Sequence, residues 1–270
     1  MLWEALPLNP RILGRRRNSR MGAMLEIKNL LVFYENALAL NDFSMEIHEK
    51  EFIGILGSNS AGKSTLMNTI AGLLEDKRIK EKRKGGVRIT IRGQILFEGE
   101  DILRARPRER VRRGIVLTRE RHPIFRDSDV EENLRIGGYL QKNAEVSKAI
   151  DSVFDIFRAL KHLKRRKAGF LSGGEQQMLI IGMALIAKPR LLLLDEPLLG
   201  LSPAIQSHLV TTIRNISKRG ITVAISEQFA RPILPYIDRG YVLESGMLTL
   251  DGTGDELMNN PEVKSAYFGV

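Results

Sequence analysis

Three short stretches hold the residue types and spacings that suit chemistry. The first, "GSNSAGKST" at 57–65, matches the pattern Gly-x4-Gly-Lys-Ser, which builds a backbone cradle for phosphate. The N–H groups of Gly57, Ser58, Asn59, Ser60, Ala61 and Gly62 would surround the anion, and Lys63 would reach the terminal phosphates. The Ser64 hydroxyl, with Thr65 beside it, would ligate Mg²⁺. The second stretch, "LLLLDEP" at 191–197, ends an apolar run on two carboxylates. Asp195 suits a metal ion held through its water shell, and Glu196 suits the orienting or deprotonation of an attacking water. Alone, an Asp-Glu pair is an ordinary exposed turn; with a phosphate loop in the same chain it reads as hydrolytic.

The third stretch is "FLSGGEQQMLI" at 170–180. Ser172 and Glu175 have capping-box spacing, so a helix starts there. Capping does not account for Gly173 and Gly174, because glycine is among the poorest helix formers. Glycine is chosen where a backbone must come close to something else, and a bare helix N-terminus attracts phosphate.

The elements that must position these residues are legible in outline. The runs "FIGIL" (52–56), "GIVL" (114–117), "RLLLL" (190–194) and "ITVAI" (221–225) are continuously apolar, as strands buried in a parallel sheet are. Each delivers polar residues at its end: the 57–65 loop, Glu120, the Asp195-Glu196 pair, and "SEQ" with Gln228. Ligands of open α/β sheets bind off the carboxyl edge, so four runs converge on one site. "MLEIKNLLVFY", "FSMEIHE", "VRITIRGQILFEGEDI" and the later "GYVLESGMLTLDG" alternate, which predicts an antiparallel sheet beside the parallel one. Helical patterns between about 100 and 170, namely "ILRARPRERVRRG", "SDVEENLRIGGYL" and "AEVSKAIDSVFDIFRALKHL", predict a helical subdomain. The expected fold is α/β: a phosphate-loop, RecA-like, mostly parallel core with an antiparallel β subdomain and a helical subdomain.

Composition narrows the classes. The 270 residues contain no cysteine, which excludes disulfides, thiolate metal sites and a cysteine nucleophile. The longest apolar run, "MLIIGMALIA" at 178–187, is about half of what a bilayer span needs. The net charge of +10 invites a nucleic-acid reading, but residues 1–23 contribute +4 and residues 75–92 contribute +5. The basicity therefore sits in an N-terminal extension, to which no fold is assigned, and in an insert read as a solvated loop. No nucleic-acid partner is expected.

Taken together, the motifs resemble those of ABC-type ATPase subunits, in the expected order across residues 24–270. In that resemblance Tyr34 is the aromatic that stacks on adenine, "GSNSAGKST" is the Walker A loop, "LLLLDEP" the Walker B strand and "LSGGEQQ" the signature motif. "LLGLSP" (198–203) is the loop that crosses to a partner. The resemblance implies ATP and Mg²⁺ as ligands, with hydrolysis in a sandwich dimer. There the start of the Ser172-Gly173-Gly174 helix touches the γ-phosphate held by the partner's loop. Most members carry glutamine and histidine where this chain has Glu120, implied to touch both metal and γ-phosphate, and Gln228. Both replacements, and the ending "VKSAYFGV", resemble the ATPases of branched-chain or hydrophobic amino-acid uptake systems and their urea and amide relatives. ATPases of lipid or lipopolysaccharide export are the runner-up. A soluble module acting on nucleic acid or ribosomes is the alternative of another class. Against the last, only 109 positions separate Lys63 from Ser172, which leaves no room for a long coiled coil. The implied partners are a second ATPase subunit, identical or paralogous, transmembrane permeases and, indirectly, an extracytoplasmic solute-binding protein. The implied place is the cytoplasmic face of the membrane.

Overall fold

The structure is a computed structural model and describes residues 22–86, 88–119 and 124–268. The N-terminal extension, apart from Gly22 and Ala23, and Glu120 lie outside the described residues.

Two sheets form the frame. The first has the order β2-β1-β4-β5, from Ala37–Ile47 (β2), Leu25–Tyr34 (β1), Ile89–Phe97 (β4) and Glu100–Asp101 (β5), with every pairing antiparallel. The second has six strands in the order β10-β9-β3-β8-β7-β6. Its members are Phe52–Leu56 (β3), Ile115–Thr118 (β6), Leu191–Asp195 (β7), Thr222–Glu227 (β8), Arg239–Glu244 (β9) and Met247–Thr253 (β10). All of its pairings are parallel except the β9–β10 hairpin.

Continuous apolar strands are explained by what covers this second sheet. Every residue of β3, β7 and β8 is buried. Phe52, Leu56, Leu192, Leu194, Val223 and Ile225 join one apolar layer, while Ile53, Ile55, Leu191, Leu193 and Ala224 join the layer on the opposite face. A strand covered on both sides has no polar face to alternate with. Helix α8 (Pro203–Lys218) and helix α7 (Gly173–Ile186) bury apolar residues in the first layer, and α1 (Lys63–Ile70) does so in the second. Helix α7 is apolar nearly all round because α4 (Val130–Gly137), α5 (Asn143–Ile156), α6 (Arg158–His162) and β6 all pack on it. Helices α9 (Gly254–Asn259) and α10 (Pro261–Tyr267) follow β10.

Three expectations differ in detail from what is found. The β9–β10 hairpin belongs to the parallel sheet, since β9 pairs in parallel with β3. The helix within "ILRARPRERVRRG" is α3 (Pro107–Arg112), and it packs against β6 of the core sheet. Of the basic insert at 75–92, residues 75–83 form no solvated loop but belong to a helix, α2 (Leu73–Arg83), and from Ile89 the chain is already β4. Leu74 and Glu75 anchor it in the interior, and the Glu75 carboxylate is held by Arg78 through two bonds of 2.7 Å and by Arg104 at 3.1 Å. Burial raises the Glu75 pKa, but these guanidiniums outweigh it and hold the carboxyl below its usual range.

Helix α3 contributes the largest of the fully buried side chains, Arg110, which is 0% exposed. Its guanidinium donates to five carbonyls: Thr69 (2.8 Å), Ile70 (2.7 Å), Ile102 (2.6 Å), Leu103 (3.0 Å) and Ala105 (3.0 Å). Burial lowers its pKa to about 10, opposed by Glu75, Asp101 and Glu109. Arg110→Met keeps the apolar stem and strands those carbonyls, which should cost about 3 kcal/mol. In a domain of this size that is a Tm about 6–12 °C lower. Calorimetry showing an unchanged Tm would remove the staple from the account.

Candidate functional site

The site is assembled where β3, β7 and β8 end. The chain leaves β3 at Leu56 and enters α1 at Lys63 through the 57–62 loop. Gly62 at the helix N-cap has φ 107°, and a Cβ there would meet the Ala39 carbonyl oxygen at 2.8 Å, so both conformation and space demand glycine. Helix α1 starts without a side-chain cap or an acidic residue in its first turn. Its positive end thus carries no anion from its own helix, which leaves the loop side open to one.

Lys63 is only 3% exposed. Its ammonium donates to the carbonyls of Gly57 (2.9 Å) and Ser58 (3.0 Å), which wraps the loop around it. The same nitrogen lies 3.0 Å from Glu196 Oε1. Glu196 follows directly on β7 and takes φ 50°, an uncommon conformation for a side chain other than glycine, with its N–H tied to the Ser226 carbonyl (3.1 Å). Residues in sparsely populated backbone regions concentrate at functional sites, because the surrounding structure must hold them there.

Asp195 closes β7. Its Oδ1 accepts from Ser226 (2.6 Å) and from Ser64 (3.2 Å). Burial raises its pKa; the two hydroxyls and Lys63 oppose that rise, whereas Glu196 adds to it. Ser64 Oγ and Asp195 Oδ1 thus form an adjacent pair of hard oxygen donors. Such a pair fits Mg²⁺, which takes one or two protein oxygens and completes its shell with water and phosphate.

Ser64 borders a cavity of about 500 Å³, with Asn59, Ser60, Gly62, Lys63 and Thr65 on the same side. Glu196, Leu199 and Gln228 line it from the ends of β7 and β8, and Ala39 from β2. Among the expected residues, Tyr34, Gly57, Ser58, Ala61, Asp195, Ser172, Gly173 and Gly174 do not line it. Tyr34 sits at the end of β1, with the Lys77 ammonium of α2 5.6 Å from its ring centroid. Ser172 caps α7 with a reciprocal box: its backbone N–H donates to Glu175 Oε2 (2.8 Å), and the Glu175 N–H donates to its hydroxyl (3.4 Å).

Glu227 was not among the residues singled out from the sequence. It closes β8 beside Gln228, is 5% exposed, and accepts from the Leu198 N–H at 3.0 Å. Its signal in the sequence was a carboxylate at the end of an apolar strand, "ITVAISE". Burial pushes its pKa up to about 8; the Leu198 bond and Lys63 oppose the rise, and Glu196 and Asp195 reinforce it. A carboxyl whose folded-state pKa is raised binds its proton more tightly than the unfolded chain does. Stability should therefore fall as pH rises between the ordinary glutamate value of 4.5 and about 8. Melting scans of the nucleotide-free protein should show this decline, and Glu227→Gln should flatten it. Equal slopes for both proteins would contradict the assignment.

Fold and site together define a phosphate-loop nucleotide-binding domain with a carboxylate pair facing the loop lysine. A sequence profile of the ABC transporter family matches residues 40–199. The chain is 37% identical over 246 residues to the high-affinity branched-chain amino acid transport ATP-binding protein BraG of Pseudomonas aeruginosa, covering 91% of this chain and 100% of that one. It is 30% identical over 250 residues to the lipopolysaccharide export system ATP-binding protein LptB of Haemophilus influenzae, covering 92% and 98%. A crystal structure of the ADP conformation of an ATP-binding cassette of an ABC transporter superposes with a TM-score of 0.79 at 28% identity, covering 93% and 100%. The chain belongs to the ABC transporter family, as an ATPase subunit of that family.

Proposed function

We propose that this chain hydrolyses ATP to drive uptake of branched-chain or other hydrophobic amino acids. It would work as one of two ATPase subunits beneath membrane-spanning permeases. The observation that carries the substrate class is the 37% identity to BraG across that protein's whole length. The LptB likeness, at 30%, supports export of a lipid as the second reading. Against export stand Glu120 and Gln228, since the export ATPases that this chain resembles usually keep glutamine and histidine there.

In this reading the 57–62 backbone and the α1 N-terminus bind the triphosphate, and Lys63 turns from Glu196 toward the β- and γ-phosphates. Ser64 and Asp195 would hold Mg²⁺, which would supply positive charge against the charge that develops on the phosphates. Glu196 orients the attacking water and takes its proton. Gln228 donates a hydrogen bond to the γ-phosphate, and unlike histidine it cannot exchange a proton there. Tyr34 stacks on the base, and the Ser172-Gly173-Gly174 helix start meets the nucleotide held by the partner subunit. Among the described residues no helix is long and apolar enough to cross a membrane, so attachment to the cytoplasmic face would run through the permeases.

The test is a mild-detergent pull-down of the chain from its native membranes, with mass spectrometry of what co-purifies. Two multi-span permeases and a second ATPase support uptake, and the associated binding protein can then be screened against branched-chain amino acids, urea and amides. Recovery with lipid-export components would favour the second reading. Ribosomes or nucleic acid without membrane subunits would overturn both.

A further inference from the structure

Residue 227 is a junction between loops that the phosphate chemistry needs in register. Through its main chain, the Glu227 carbonyl accepts from the N–H of Gly57, the first residue of the phosphate loop, at 3.3 Å. Through its side chain, Oε1 accepts from the N–H of Leu198, at the start of the 198–203 loop, at 3.0 Å. The residue before it, Ser226, anchors both Asp195 and the backbone of Glu196. The residue after it, Gln228, lines the cavity. Leu198 is itself buried, whereas Leu199 next to it is 53% exposed and borders the same cavity. The Leu198 bond thus holds the chain between β7 and α8 where it leaves the interior, and the Leu198 carbonyl then accepts from the Leu201 N–H (3.2 Å) and from Gln206 Nε2 (3.1 Å).

We infer that Glu227 is a positioning residue for ATP hydrolysis, its carboxyl holding the Leu198 N–H so that Glu196 and the 198–203 loop leave β7 in one geometry. This rests on the reading of Glu196 as the base. A side chain buried this deeply is an expensive way to accept one hydrogen bond, since an isolated carboxylate resists burial. Two alternatives would close the strand more cheaply: an apolar residue, or a serine like the one before it. Neither reaches across to Leu198 from this position. The bond also lies between two mobile demands. Gly57 must stay with the phosphate loop, and Leu199 must follow whatever the exposed loop meets. Displacements as small as 1 Å remote from the reacting atoms can cost about 100-fold in rate.

Because burial favours the neutral carboxyl, an amide is the close substitute: it offers one accepting oxygen in the same place. The full chain, purified with its co-purifying subunits, should therefore respond to the reach of residue 227 and not to its charge. Glu227→Gln should hydrolyse ATP within about threefold of the parent. Glu227→Asp, which withdraws the carboxyl by one methylene, and Glu227→Ala should each lower kcat about tenfold or more. The Kd for ATP, measured by calorimetry, should stay within about twofold in all three. Should Glu227→Ala fail to fold, the Asp and Gln pair carries the comparison. Parent-like turnover of Glu227→Asp, or a loss in Glu227→Gln as deep as in Glu227→Ala, overturns the inference. Weakened ATP binding that accounts for the lost activity overturns it as well. Glu196→Gln measured in parallel separates the two ideas. If that variant turns over normally, the base assignment fails whatever residue 227 does; if it is dead and Glu227→Asp is normal, only the positioning role falls.

Discussion

Glu196→Gln is expected to bind ATP as well as the parent and to hydrolyse it at least ~100-fold more slowly, the size of effect a lost general base produces. Isolation of the effect follows from the geometry. Glu196 Oε1 lies 3.0 Å from the Lys63 ammonium, and a glutamine oxygen in the same place can still accept from it. The φ of 50° at residue 196 is set by its bond to the Ser226 carbonyl and by β7, neither of which the substitution touches. What disappears is the capacity to take a proton. With binding intact and cleavage blocked, two ATP-loaded chains should accumulate as a dimer, read as an earlier elution in size-exclusion chromatography with Mg²⁺-ATP. Gln228→Ala removes an amide from the same cavity wall but no proton acceptor, so its turnover should fall by less. Hydrolysis by Glu196→Gln at the parent rate would take the base role away from this residue.

How much of this was legible beforehand depends on how far apart in the chain the partners lie. The phosphate loop is written in consecutive residues, because one strand–turn–helix unit supplies all of it. Convergence of Lys63, Asp195, Glu196 and Gln228 was also legible, since parallel strands deliver whatever follows them to one edge. The two-layer burial of β3, β7 and β8 leaves its mark as unbroken apolar runs. Helix α2 was not legible, for a specific reason. Its charge suggested solvent, but the residue that makes it a built element is Glu75, whose second cation is Arg104, 29 positions on and on the far side of β4. Glu227 hid similarly. Nothing in "ITVAISEQ" tells that its carboxyl turns to the Leu198 N–H while the neighbouring Gln228 borders the cavity. In the β9–β10 hairpin only β10 alternates; Gly240–Leu243 of β9 are buried without a break, and the contact with β3 assigns the hairpin to the parallel sheet.

Gly173 and Gly174 should behave oppositely on substitution, and the contrast identifies what the first glycine is for. A Cβ at Gly174 would meet Ile205 Cγ2 at 2.8 Å, so Gly174→Ala forces α7 and α8 apart and should lower the Tm. At Gly173 the nearest atom to an added Cβ is Leu201 Cδ2 at 3.7 Å, an ordinary contact. Gly173 is exposed, and glycine within a helix costs roughly 0.5–1 kcal/mol relative to alanine. Packing within the chain therefore gives no reason for glycine at this position, and stability argues against it. In the proposed sandwich arrangement the reason would be an approach from outside, by the phosphates on the partner subunit. Gly173→Asp should leave the Tm and ATP binding near parent values, because the loop around Lys63 is untouched. The added carboxylate would face the incoming phosphates at a helix N-terminus, replacing attraction by repulsion. ATP-driven dimerisation should then be lost and hydrolysis should fall at least ~100-fold, a barrier of about 2.7 kcal/mol. Adding the ATP-loaded Glu196→Gln chain should not rescue assembly through that face. Parent-like hydrolysis by Gly173→Asp would mean that the helix start never meets a phosphate, and the sandwich arrangement would fall with it.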